Sequence, residues 1–272
     1  MQYGCCTKVL ENRGEPAVYR GSLIKACGYT YAELPMYRLM ELSDSQIRTL
    51  RDEMKELGLS FESSNCFYPA SMRLTGAGID MGAILDYAAR AFELAASLGI
   101  RAIVLGSPVS RTVPAGFSKA AAREQLAEAL TGMSKLCAPL GVDVAFEACN
   151  IYINNLIVNL DEALELCRDV NSPGIGLVAD YYHLALANED PKIIEKGKQY
   201  IHHVHFGNPA GTPFPIAEIV DTYMPFVQSL KRARYDRCFT VEEHDCPPSE
   251  ADMANGYKVL LEFDQYFRSI SI

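Results

Sequence analysis

The nine residues VDVAFEACN, 142–150, decide how this chain is read. Val142, Val144 and Phe146 alternate with smaller or polar residues directly after Leu140-Gly141, the pattern of a buried strand starting where a helix has been stopped. A carboxylate, Glu147, stands at the C-terminal end of that strand. Three later runs repeat the arrangement: GIGLVAD ends in Asp180, YIHHVH in His205 and CFTVE in Glu242, at separations of 33, 25 and 37 residues. Each separation has room for one strand, one helix and their loops, as parallel strands joined by helical crossovers require. Successive parallel strands would bring two Glu, one Asp and one His to one rim, a metal-ligand set with positions left open for a substrate.

The flanking sequence supplies the remaining units. Upstream, strands are expected over 2–7, 29–34 (carrying Glu33), 59–67 and 100–105, with helices over 16–27, from Ser43 to Gly58, over 79–98 and over 118–140. Ser43 with Gln46 three residues on forms a capping box, and Gly28, Gly58, Gly99 and Gly141 are the expected helix stops. Downstream, helices are expected over 160–170, 191–199, 216–232 and 250–267. Eight strand–helix pairs with no dividing linker or charge block predict an α/β fold, a single (β/α)8 TIM barrel over residues 1–272. The loop 107–117 is long and contains Pro108, Arg111, Pro114 and Gly116; loops of this length are often functional, and it is expected to cover the site.

Composition narrows the partners. A net charge of −9 and a pI near 5.1 leave no basic stripe for a nucleic acid, although one local anion site would suffice for a small phosphorylated ligand. The start Met1-Gln2-Tyr3 has no charged-then-apolar leader pattern, and no apolar run approaches the ~18 residues of a membrane span, so no membrane partner and a cytoplasmic location are expected. Nine cysteines, an odd number without framework spacing, are expected to be reduced and mostly buried.

Within the four-residue set, barrel active sites lie at the C-terminal ends of strands, where all four residues independently fall. The chain has five histidines: His183, His202, His203, His205 and His244. His203 and His205 share one face of their strand, and His205, nearer the end, is the expected ligand; His202 and His203 are read as packing or supporting imidazoles. The alternation Cys238, Thr240, Glu242 points Glu242 inward and leaves Glu243 a solvated or structural carboxylate. Three carboxylates and one imidazole suit Mn²⁺, Mg²⁺ or Co²⁺, whereas structural zinc usually recruits cysteine. His183, three residues past Asp180, is placed to reach a substrate hydroxyl.

These segments carry a resemblance. FEACN, ADYYHL, HHVHFGN and FTVEEHD, with the loop GSPVSRTVPAGFS, resemble the xylose isomerase-like superfamily of barrels, in its sugar isomerase/epimerase branch of D-tagatose and D-psicose 3-epimerases. The resemblance implies one divalent ion held by Glu147, Asp180, His205 and Glu242, with Mn²⁺ first and Mg²⁺, Co²⁺ or Zn²⁺ as alternatives. It further implies that Glu147 and Glu242 exchange a proton with a substrate carbon through a metal-stabilised enediolate, giving epimerisation or aldose–ketose isomerisation of a ketose or related polyol. Homodimers or homotetramers are usual in the branch.

The chain departs from that branch in two places. The Glu strand continues as Asn150-Ile151-Tyr152-Ile153, without the branch's Arg and second Glu, and Asn208-Pro209-Ala210-Gly211 after His205 has no Arg. Substrate recognition is therefore expected from Glu33, Arg111, His183 and Asn208. The competing readings are a lyase resembling inosose dehydratases, in which proton abstraction is followed by loss of a β-hydroxyl, and a non-catalytic sugar-binding barrel. A nuclease resembling endonuclease IV needs several more histidines, and none precedes residue 183.

Overall fold

The computed structural model describes residues 1–12, 14–209, 211–242 and 249–268. The chain begins with β1 (Gln2–Cys6) and a hairpin of β2 (Val9–Asn12) and β3 (Glu15–Val18), followed by β4 (Tyr31–Pro35), β5 (Ser63–Asn65) and β6 (Ala102–Leu105). It continues with β7 (Asp143–Phe146), β8 (Ile175–Asp180), β9 (Ile201–Phe206) and β10 (Cys238–Val241). All but the hairpin form a closed parallel barrel in the order β1-β4-β5-β6-β7-β8-β9-β10, β10 returning to pair with β1. This is the (β/α)8 barrel expected from the spacing.

The outer helices follow the predicted caps and stripes. Ser43 and Gln46 form the reciprocal capping box of the helix Asp44–Leu57, and Gly58 ends it at φ 65°. The helix Met81–Leu98 is capped by Asp80 and turns Ile84, Ala88, Phe92 and Ala95 inward, a helical stripe against the barrel. Leu160–Val170 is helical over the expected span.

One region differs. The helix expected over 16–27 is confined to Gly21–Ala26, because residues 15–18 pair antiparallel with 9–12. Gly14, at φ 86°, allows the tight connection, and Val9 and Val18 are buried as cross-strand partners. Pro16, which has no N–H to give a ladder, sits where a two-stranded ribbon tolerates it. The segment expected to be helical over 191–199 keeps one turn, Ile193–Lys196, and an unexpected helix, Tyr181–Leu186, starts directly after β8. The loop 107–117 opens with one helical turn, Pro108–Arg111.

The barrel interior is apolar on one side, where Val104, Ala145 and Val178 pack together, and polar on the other, across β4, β5, β9 and β10. Gly4 matters here: a Cβ on it would lie 2.1 Å from the Tyr31 ring, so only glycine lets that ring fill the interior. The eight cysteines among the described residues are free thiols. No described helix is long and apolar enough to cross a membrane. Glu243 and Cys246 lie outside the described residues.

Candidate active site

Strand register assembles the site. Asp180 is the Cα partner of His205 across β8 and β9, and His205 is the partner of Thr240 across β9 and β10. Glu242, two residues past Thr240, returns to the same face. Glu147 directly follows β7, its N–H donating to the Leu105 carbonyl at 3.2 Å. One ligating atom from each of Glu147, Asp180, His205 and Glu242 lies within 4.8 Å of all the others; the first three residues are buried and Glu242 is half-buried.

His205 is the pivot. Its Nδ1 lies 2.9 Å from Glu147 Oε1, 3.4 Å from Glu242 Oε2 and 3.9 Å from Asp180 Oδ2, while its Nε2 lies 2.8 Å from Glu33 Oε1. Burial alone would push this imidazole down, but Glu33 and Glu242 hold it well above the usual histidine range. The Glu147 carboxyl is raised, by burial first and then by Glu242. Asp180 is divided in function: Oδ1 accepts the His183 N–H at 2.8 Å and so caps the helix Tyr181–Leu186, whereas buried Oδ2 has no hydrogen-bond partner among the described residues.

Three carboxylates this close repel one another in a buried site, and an acceptor without a donor is costly there. A divalent cation answers both, so the residues present fit one. Two other groupings, Cys6–Glu33–His205 and Glu147–Cys149–His183, share members with this set. They are poorer ligand sets, since burial and Glu33 raise the Cys6 thiol well above its ordinary range and Arg111 Nη2 lies 2.8 Å from Cys149 Sγ.

The residues expected to meet substrate fall into different surroundings. His183 is buried beside Glu147 and Cys149; Asn150 approaches its Nδ1 with the backbone N–H at 3.3 Å and the side-chain amide at 3.0 Å. Burial opposes charge on His183, but Asp180, Cys149 and Glu147 bring its pKa up to about 10. Asn208 is buried two residues past β9, its N–H bonded to the Pro213 carbonyl. Glu33 is fully buried beneath the four-residue cluster and faces His203, His205, Ser63 and Thr240.

Arg111 is also fully buried. Its guanidinium donates to the carbonyls of Gly106 at 2.5 Å, Glu147 at 2.5 Å and Leu156 at 3.2 Å, and lies over the Phe146 ring. That geometry fastens the segment carrying Glu147. Gly106 leaves room for the Glu147 carboxylate itself, since a Cβ there would come within 2.3 Å of Glu147 Oε2. Neither role is visible in sequence, because each depends on which strands become neighbours.

A cavity of about 350 Å³ opens beside Glu242, lined by Cys6, Lys8, Tyr37, Asn65 and Cys66. Burial, Glu242 and Glu147 push the Cys66 thiol up to about 12, so it faces the cavity protonated. A larger cavity, about 530 Å³, lies at the opposite mouth among Arg101, Asp143, His202, His203 and Arg237; it holds none of the four converging residues. Chemistry in a barrel of this kind belongs to the C-terminal mouth.

A family profile described as xylose isomerase-like TIM barrel matches residues 22–263. The chain belongs to that family. No curated protein matches the sequence. Among solved structures, this xylose isomerase-like barrel superposes on D-allulose 3-epimerase from Methylomonas sp. in complex with D-allulose, with a TM-score of 0.79 at 17% identity over 96% of each chain. It is similar to D-psicose 3-epimerase with D-tagatose from Clostridium cellulolyticum H10, with a TM-score of 0.76 at 16% identity over 99% of this chain and 97% of that one. It is also similar to a 3-keto-D-glucoside 4-epimerase from E. coli, with a TM-score of 0.71 at 16% identity over 99% and 100%. At these identities the likeness is one of fold.

Proposed function

We propose that this protein is a divalent-metal-dependent sugar isomerase or epimerase, with Mn²⁺ the ion of first choice for its three-carboxylate, one-imidazole donor set. The observation that carries the reading is the convergence of Glu147, Asp180, His205 and Glu242 within 4.8 Å, with Asp180 Oδ2 buried and unmatched. Similarity in fold to epimerases of D-allulose, D-psicose and a 3-keto-D-glucoside supports a sugar as substrate. When bound, the ion would supply Lewis acidity to an adjacent carbonyl–hydroxyl pair of the sugar, acidifying the C–H of the hydroxyl-bearing carbon.

The chain's own residues do the rest. Glu147 and Glu242 are the proton-transfer pair: one carboxylate takes the proton from carbon and the other returns it on the opposite face, inverting the centre. Return to the neighbouring carbon gives aldose–ketose isomerisation instead. Burial and mutual repulsion raise the Glu147 carboxyl, which makes it a stronger base once ionised. His183, held by Asn150, is placed to bind a substrate hydroxyl, and Asn65 and the protonated Cys66 thiol face the cavity in which the sugar would lie.

The test is solvent deuterium incorporation into a panel of ketoses, ketose phosphates and inososes, read by NMR after removal of Mn²⁺. Label at a single carbon, lost in Glu147→Gln and Glu242→Gln while both variants stay folded, is the expected result. A ring-dehydrated product would make the protein a lyase of the same fold. Binding without exchange of any candidate, unchanged in Glu147→Gln, would make it a sugar-binding barrel.

A further inference from the structure

We infer that Glu33 is a positioning residue, which fixes His205 so that the Nδ1 lone pair points at the divalent ion; the inference rests on the metal reading proposed above. Glu33 is fully buried, and its carboxylate is ringed by protein donors. Oε2 accepts from the Ser63 hydroxyl, from Thr240 Oγ1 at 2.7 Å and from His203 Nε2 at 2.9 Å. Oε1 accepts from His205 Nε2 at 2.8 Å and from the Cys6 thiol at 3.6 Å. A carboxylate has about four lone-pair sites, so these partners occupy all of them and leave none for a substrate hydroxyl.

The direction of each hydrogen bond follows. An ionised carboxylate can only accept, so both imidazoles present an N–H to Glu33. His205 therefore keeps a proton on Nε2, and its Nδ1, hydrogen-bonded to Glu147 at 2.9 Å and lying 3.9 Å from Asp180, is the nitrogen whose proton a metal ion would displace to take up the lone pair. A histidine that ligates a metal is ordinarily oriented in this way, through the hydrogen bond made by its other nitrogen.

Thr240 has one hydroxyl proton, and it goes to Glu33. Tyr31, whose hydroxyl lies 2.6 Å from Thr240 Oγ1, is then the donor in that pair. Tyr31 is itself held where Gly4 leaves the barrel interior open to its ring. The orientation of His205 is thus fixed by a chain of buried contacts from Gly4 through Tyr31, Thr240 and Glu33. A merely structural Glu33 would contribute to stability and leave the histidine tautomer and the metal affinity alone.

The experiment measures the Mn²⁺ dissociation constant of the full-length protein by EPR of the free ion. It compares wild type, Glu33→Gln and, as a first-sphere reference, Asp180→Asn, with folding monitored by circular dichroism. Glu33→Gln cannot accept from all of these donors and is expected to weaken Mn²⁺ binding by about 10- to 100-fold. Because that variant could misfold, the ¹⁵N signals of histidine-labelled wild type loaded with diamagnetic Zn²⁺ give a second readout, expected to place the His205 proton on Nε2. Unchanged Mn²⁺ affinity in folded Glu33→Gln, beside a weakened Asp180→Asn, overturns the role of Glu33 while leaving the metal site standing. A proton on His205 Nδ1 overturns it equally. Wild type that binds neither ion removes the metal reading and this inference with it.

Discussion

Gly106→Ala separates the site from the fold. The Cβ introduced would stand 2.3 Å from Glu147 Oε2, whereas real Cβ atoms do not come under 3.0 Å and ordinary contact begins at 3.4 Å. The carboxylate must therefore retreat by about 0.7–1.1 Å, and a misplacement of about 1 Å in a reacting group can cost on the order of 10²-fold in rate. The retreat is cheap for the fold, because the atom displaced is the far end of a side chain and the Gly106 backbone lies outside the left-handed region. It is expensive for the site, since Glu147 Oε1 is tied to His205 Nδ1 at 2.9 Å and ligand–metal distances tolerate only a few tenths of an ångström. We expect Gly106→Ala to keep its melting temperature within a few degrees while Mn²⁺ affinity falls by about 10- to 100-fold, about 1.4–2.7 kcal/mol. Isothermal titration beside calorimetric melting reads both quantities. Wild-type affinity in the folded variant, with Glu147 in its original position crystallographically, would refute the reasoning.

Arg111→Met leaves the carbonyls of Gly106, Glu147 and Leu156 without their buried donor; at about 1–3 kcal/mol for each unmet acceptor, urea denaturation should show a loss of at least about 3 kcal/mol. Mn²⁺ affinity should rise with pH, because the Glu147 carboxyl and the His205 imidazole are both held protonated above their ordinary ranges and must release their protons before they can ligate. The expected slope, read by titration at several pH values, is about tenfold per pH unit for each proton displaced, and a flat profile would count against those two ligands.

Much of the fold was legible in the sequence. Alternating apolar residues ending in Glu147, Asp180, His205 and Glu242, at intervals that fit one strand and one helix, implied a parallel closed sheet, and the barrel is that sheet. Strong local signals decide their elements, among them the Ser43–Gln46 capping box and the glycine stops at Gly58, Gly99 and Gly141. Where local signals are balanced, tertiary pairing decides the element. Residues 16–18 could continue toward a helix on propensity alone, and became a strand only because residues 9–12 are beside them to pair with. The helix Tyr181–Leu186 was hidden because Asp180 reads as the end of a strand, although its side chain is also the helix cap.

The sequence by itself determined the periodicities, the caps and the order of chemical groups along the chain, because these depend on residues a few positions apart. Only the tertiary structure decided the partners of each inward-facing group, because those partners come from strands distant in sequence. Glu33 and Arg111 show the difference. Both are polar residues near strand ends and read equally well as substrate contacts. Closure of the barrel sets Glu33 against His205, 172 residues away, and Arg111 against the backbone of Glu147, 36 residues away. Side chains alternate in direction along a strand, but register across eight strands determines which of them meet.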